Sequence, residues 1–227
     1  LRCMLLPGGG IASAEDADTN GEEGLTYVWN PNQLREVLSP DEFHAIERFY
    51  GVEPGGNFEG NSILYEVGID DVDFHTLSAA RLKLRESRDL REQPFKDDKV
   101  VVSWNGLALA ALAEAGARLG RCDYIDAATC LAKFLAKETV TSEGKLFRTW
   151  RNGEAKGSAY LEDYANVAHG LLELHVATGE VAYLHESRRL VEVAIECFSD
   201  KENGGFFFTS HDSEQLIFRK KEIHDLY

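Results

Sequence analysis

Apolar residues recur at helical spacing through the second half of the chain. Ala108, Leu112, Ala115 and Leu119 step by three and four, and Gly120 follows where a helix C-cap belongs. Tyr124, Ala127, Leu131, Phe134 and Leu135 then predict a second helix, antiparallel to the first because the connection is so short. Leu146 to Trp150 reads as a short strand. The order then returns. Leu161, Tyr164, Ala168, Leu171 and Leu172 predict a helix ended by Gly179, and Leu184, Val191, Ala194, Ile195 and Phe198 predict its partner. Gly204-Gly205 opens Phe206 to Thr209, predicted as half of a hairpin whose return is Leu216 to Arg219.

These stretches are copies of one another. Leu112, Gly120, Tyr124, Leu131 and Phe147 fall on Leu171, Gly179, Tyr183, Leu190 and Phe206, each pair 59 positions apart, as 120 and 179 are. A fixed period of this kind marks a supersecondary unit that stacks on its own copies. The unit is longer than the about 33–47 residues of regular helical solenoid repeats, and its β-hairpin inserts and acidic loops favour a closed ring. The predicted fold class is therefore all-α, an (α/α) toroid with small β-hairpin inserts. A full ring of such units needs far more than 227 residues, so a single partial toroid domain over 1–227 is expected. A start at Leu1 without an initiator Met gives the same expectation of a piece of a longer chain.

The first hundred residues are less regular. Residues 8–24 read as Gly- and acid-rich loop, and Leu25 to Trp29 as a short strand. Asn30-Pro31 starts a helix through Leu38, and Ser39-Pro40-Asp41-Glu42 another through about Tyr50. Residues 51–62 form a loop, 74–93 a charged helix, and a loop from Pro94 leads to Val100-Val101-Val102.

Composition narrows the class of function. Lys and Arg total 24 against 39 Asp and Glu, a formal charge of −15, which argues against nucleic acid or an anionic membrane as partner. With 44% hydrophobic residues the chain can bury a core, yet no run approaches the roughly 18 apolar residues of a spanning helix. Cys3, Cys122, Cys130 and Cys197 are dispersed, without a CxxC pair, so a reducing cytoplasm and a buried thiol at each position are expected. GxSxG, P-loop and GxGxxG signatures are absent and the histidines lack HExxH-like spacing, so no cofactor and no metal site are predicted.

Candidate chemistry lies at two places. In the acidic stretch from Glu15 to Gly24, Asp16, Asp18, Asn20 and Gly21 match the opening ligand and turn positions of a calcium loop. Tyr27 stands where the closing Glu belongs, and no helix enters the stretch. A solvated acidic turn explains it as well, as does a carboxylate cluster in a polar pocket. The second place is set by the repeat, which superposes Trp104 on Asp163 and Asn105 on Tyr164, at the N-terminal ends of equivalent helices. In a toroid such ends converge on one rim, where exposed N–H groups favour acidic side chains and hydroxyl-rich ligands. Asp163, Glu162, Trp104, Asn105 and Tyr164 there would suit a sugar, with oxygens for hydroxyls and rings for the apolar face. The plainer alternative makes Ser103 and Glu162 helix-start residues and the aromatics core. Asp98 precedes the first helix and either feeds the rim or forms a turn. His169, about a turn beyond Asp163, is the histidine retained.

Five ordered motifs carry a family resemblance. Ser13-Ala14-Glu15-Asp16-Ala17-Asp18 through Glu22-Glu23-Gly24, Tyr27-Val28-Trp29, Gly56-Asn57-Phe58-Glu59-Gly60, Asp97-Asp98-Lys99 with Ser103-Trp104-Asn105-Gly106, and Leu161-Glu162-Asp163-Tyr164-Ala165 span nearly the whole chain. They resemble the thioredoxin-domain-containing proteins typified by spermatogenesis-associated protein 20. The resemblance implies a thioredoxin-like domain followed by an (α/α) toroid similar to six-hairpin glycosidases and N-acylglucosamine 2-epimerases. This chain matches the toroid part, with no thioredoxin-like unit of its own.

The expected ligand is a sugar or sugar acid. For hydrolysis, Asp163 or Glu162 would be the acid and Asp16 or Asp18 the base or nucleophile, their separation deciding the stereochemistry. For epimerisation, His169 or Tyr164 would move the proton. The rival expectation is a non-catalytic scaffold for a thioredoxin-like domain, marked by an exposed apolar patch.

Overall fold

The computed structural model describes residues 3–68, 72–213 and 217–221. Among them lie seven helices and a few short antiparallel strand pairs, so the helical class is as predicted. The helices are α1 (Pro31–Val37), α2 (Pro40–Tyr50), α3 (Phe74–Asp89), α4 (Val102–Leu119), α5 (Cys122–Glu138), α6 (Leu161–Thr178) and α7 (Val181–Phe198). The chain divides into two compact units, Glu15–Lys96 and the residues on either side of that segment.

In the unit Glu15–Lys96 the helix starts are written in the sequence. Asn30 Oδ1 accepts the N–H groups of Asn32 and Gln33, and Pro31 follows where its missing N–H costs nothing. Ser39 and Glu42 form a capping box at α2, and Gly51 closes that helix at φ 57°. Asp73 caps α3. The three helices bury Leu34, Ile46, Phe49, Leu77, Ala80 and Leu84 together with Trp29. Full burial stabilises each large aliphatic by roughly 1.5–3 kcal/mol. Trp29 forms only an isolated bridge with Ser62, and Leu25 to Tyr27 is a turn rather than the predicted strand. Arg91 explains the departure. It donates to the carbonyls of Thr26 and Val28 and lies 3.7 Å from the Trp29 ring centroid, so this backbone bonds to a side chain instead of a strand.

The other unit contains the repeat. α4 and α6 begin 59 positions apart, at 102 and 161, and end 59 apart, at 119 and 178. Gly120 and Gly179 close them at φ 64° and 75°, where a side chain would be strained. α4 and α6 approach until a Cβ on Gly106 would meet the Asn166 carbonyl carbon at 2.5 Å, and one on Gly170 the Gly106 oxygen at 2.7 Å. Their common core includes Leu109, Ala113, Leu131, Phe134, Tyr164, Leu171, Leu174, Leu190 and Phe198. Val100–Val101, Phe147–Arg151 and Glu154–Ser158 form an antiparallel sheet with Val101 opposite Thr149. Asn152-Gly153, at φ 52° and 82°, turns its hairpin. In the second copy Phe206 makes only a bridge with Ser199. The predicted return begins at Leu216, outside the described residues; within them, Phe208 N–H donates to the Lys220 carbonyl at 2.8 Å.

Cys197 is buried as expected, whereas Cys3, Cys122 and Cys130 are exposed, lying on helix and loop surfaces rather than in the core. Among the described residues no helix is long and apolar enough to cross a membrane.

Candidate functional site

The first turns of α4 and α6 lie side by side, and Asp163 joins them. Its Oδ1 accepts the Ser103 N–H at 2.8 Å, and its Oδ2 accepts the Tyr160 N–H at 2.8 Å. Val101, at the N-cap position of α4, offers no side-chain cap, so the neighbouring helix supplies one. Asp163 is fully buried. Burial pushes its carboxyl up to about 6, against the pull of Arg148 and the Tyr160 N–H.

Arg148 is the rim residue that the sequence pattern did not single out. Its Nη1 lies 2.8 Å from Asp163 Oδ1, 2.6 Å from Glu162 Oε1 and 3.1 Å from Ser103 Oγ. The guanidinium also stands 5.0 Å from the Tyr160 ring centroid, and Tyr160 packs on Phe208 with ring centroids 4.6 Å apart. A signal existed: Arg148 lies two positions from both Leu146 and Trp150, the spacing of one extended-chain face, and both pack in the core, so a charge between them needs a partner. Glu162 keeps about a third of its side chain exposed, and Trp104 is 44% exposed.

The other candidates are placed as follows. Asn105 is buried; its amide donates to the carbonyls of Ile11 and Val101, and its Oδ1 accepts the Ile11 N–H at 2.8 Å. Tyr164 is buried, accepts the Leu146 N–H at 3.0 Å and has its phenol pushed up by burial. Asp98 pairs with Arg151. His169 is exposed, 3.5 Å from Glu173. Asp16 and Asp18 belong to the unit Glu15–Lys96, where they line an open groove with Asn20, Glu92 and Phe95. The acidic stretch is a tight hairpin, Asp18 opposite Glu23, turned by Asn20-Gly21 at φ 56° and 78°. Asn20 Nδ2 donates to Glu92 at 2.8 Å.

No family model matches the chain. Against curated proteins the match is specific: spermatogenesis-associated protein 20 of Homo sapiens is 32% identical over 91% of this chain, and that of Mus musculus 30% identical over 99%. The chain is similar to spermatogenesis-associated protein 20. It spans about a third of the length of those two relatives, 32% and 34%. The spermatogenesis-associated protein 20 similarity therefore covers the rim of α4 and α6 as part of a longer relative. Among solved structures, cellobiose 2-epimerase from Bacillus thermoamylovorans superposes with a TM-score of 0.48 at 13% identity, over 89% of this chain and 53% of that one.

Proposed function

We propose that the chain carries the sugar-binding rim of a carbohydrate-processing (α/α) toroid. What carries this reading is the joint first turn of α4 and α6, where a partly exposed carboxylate, Glu162, is oriented by Arg148 beside Tyr160. Trp104 stands exposed next to Ser103, whose N–H is bound by Asp163. Helix N-termini favour electron-rich oxygens, and aromatic faces suit the apolar side of a sugar ring. Glu162 is the acid–base group, Trp104 the stacking face, and Asp163 the group that positions both helix starts. Whether the reaction is hydrolysis or epimerisation follows from the partner base, for which His169, on the same helix as Glu162, is the candidate.

The test is the thermal unfolding midpoint with and without a panel of neutral sugars and sugar acids. A ligand that binds only the native state raises it by about 2.7 kcal/mol of stabilisation at a hundredfold excess over Kd. The expected result is a selective rise, absent in Glu162→Gln and Trp104→Ala while both variants keep a cooperative transition. A flat panel on a cooperatively unfolding protein overturns the proposal.

A second reading, an interaction platform for a thioredoxin-like domain, is favoured by α7. Its outward face presents Leu184, Val191 and Ile195 in one row, at 37%, 44% and 50% exposure. Arg188 stands between Leu184 and Val191 on that face, so the row is apolar residues broken by one charge, the mixed character of a surface that meets a partner. On that reading the sugar panel is flat, and Val191→Glu abolishes binding of a thioredoxin-like domain supplied in trans.

A further inference from the structure

Away from the rim, a second group of reactive side chains converges. The end of α7 and the loop after it surround a cavity of about 390 Å³, lined among others by Lys145, Tyr164, Cys197, Ser210 and Asp212. Cys197 Sγ, a ring nitrogen of His211 and a carboxylate oxygen of Asp212 all lie within 4.8 Å of one another. A thiol, an imidazole and a carboxylate are the three protein ligand types of zinc sites. On an ion with bonds of about 2.0–2.3 Å, tetrahedral ligands stand roughly 3.3–3.6 Å apart, so a closure of about an ångström brings these three to bonding distance.

The surroundings suit such an ion. His211 Nδ1–H donates to the Cys197 carbonyl at 3.1 Å, and the His211 backbone N–H donates to the same oxygen at 3.0 Å. That outer contact fixes the ring and leaves the lone pair of the neutral imidazole on Nε2, as in most histidines that bind metal. Ser210 Oγ donates to Asp212 Oδ1, and Lys145 Nζ to Oδ2. Those two contacts fix the orientation of the Asp212 carboxylate.

We propose that Cys197, His211 and Asp212 bind one thiophilic divalent cation of the zinc class, with the cavity beside Tyr164 supplying the open coordination position. Three protein ligands and one open position is the pattern of a catalytic rather than a closed structural site. Lys145 is the built-in competitor, since its ammonium occupies the carboxylate that the cation needs. Neither Glu162 nor Trp104 is among its ligands or its lining, so its test does not depend on the sugar reading. Sequence spacing predicted no metal because Cys197 and His211, 14 positions apart, meet only through the turn at Ser210.

Cobalt(II) titration of the whole chain after chelator treatment tests the proposal. The expected result is one equivalent bound, with a sulfur-to-cobalt charge-transfer band in the near ultraviolet. Cys197→Ser removes the band, and His211→Gln and Asp212→Asn, both at surface positions, each weaken binding at least about tenfold. Lys145→Met tightens binding, which a merely structural role for Asp212 would not produce. Absence of the band in the wild-type chain overturns the proposal. So does a band that survives Cys197→Ser, since the thiolate would then come from Cys3, Cys122 or Cys130. Where Cys197→Ser fails to unfold cooperatively, unchanged affinity in both His211→Gln and Asp212→Asn overturns it instead.

Discussion

Asp163 and Ser103, 60 positions apart, are joined by a 2.8 Å hydrogen bond from the Ser103 backbone to the Asp163 carboxylate. One side chain thereby caps two helices, its own through Tyr160 and a neighbour's through Ser103. Asp163→Asn replaces one acceptor oxygen by an NH2 group facing N–H donors. A loss of about 2–3 kcal/mol is expected, in the range of a lost cap plus an unsatisfied buried group, and is read from the urea midpoint.

The same residue gives the protein a pH signature. Its carboxyl is raised from 3.8 to about 6, so the folded state holds this proton more tightly than the unfolded chain. Its favourable contribution is complete below about pH 4 and disappears as pH rises to about 6, an effect of roughly 2–3 kcal/mol at about 1.4 kcal/mol per pKa unit. Asp212 works in the opposite sense. Lys145 draws its carboxyl down to about 2, so its contribution holds above about pH 4 and fades as pH falls towards 2. Chemical denaturation from pH 3 to 7 should show the Asp163 slope in the wild type and its loss in Asp163→Asn.

Arg148→Met leaves two carboxylates, one of them fully buried, without their cation. Stripping one partner from a buried pair costs about 3 kcal/mol or more. The double variant with Asp163→Asn should lose less than the sum of the singles, because both remove the same contact. Equal and additive losses in a double-mutant cycle would refute the coupling.

Gly106→Ala tests the approach of α4 to α6. Its new methyl would meet Asn166 and Val167 backbone at 2.5 and 2.6 Å, atoms that cannot rotate away. Overpacking of this kind costs typically about 1–3 kcal/mol. A lower melting temperature with unchanged helix content by circular dichroism is expected.

Asn105→Ala deletes three hydrogen bonds, two of which pin Ile11 to α4. The expected cost is about 2–3 kcal/mol, and limited proteolysis should cut ahead of Ala12 sooner than in the wild type.

Much of the fold was legible in the sequence because its signals are local. The period of 59 located the starts of α4 and α6, and Ser39 with Glu42 wrote the capping box of α2. The strand Glu154–Ser158 was not predicted, since its own residues do not alternate clearly. The candidate rim was legible as far as the repeat reaches. The register brought Glu162 and Asp163 to the start of α6, yet it carried no trace of Arg148, which arrives from a strand 15 positions before Asp163. Nor could it tell that Asn105 turns inward to hold Ile11, because that bond spans 94 positions.

The contact between α4 and α6 also has a direction. Gly106 on α4 meets Asn166 and Val167 on α6, and Gly170 on α6 meets Leu109 on α4. Shifted by one repeat, the mate of Gly106 is Ala165, which is exposed, and the mates of Asn166 and Gly170 are Leu107 and Ala111, exposed as well. The joint is thus head-to-tail, made from two different faces of the same unit. Such a joint leaves Ala165, Leu107 and Ala111, the repeat mates of its contact residues, outside the contact.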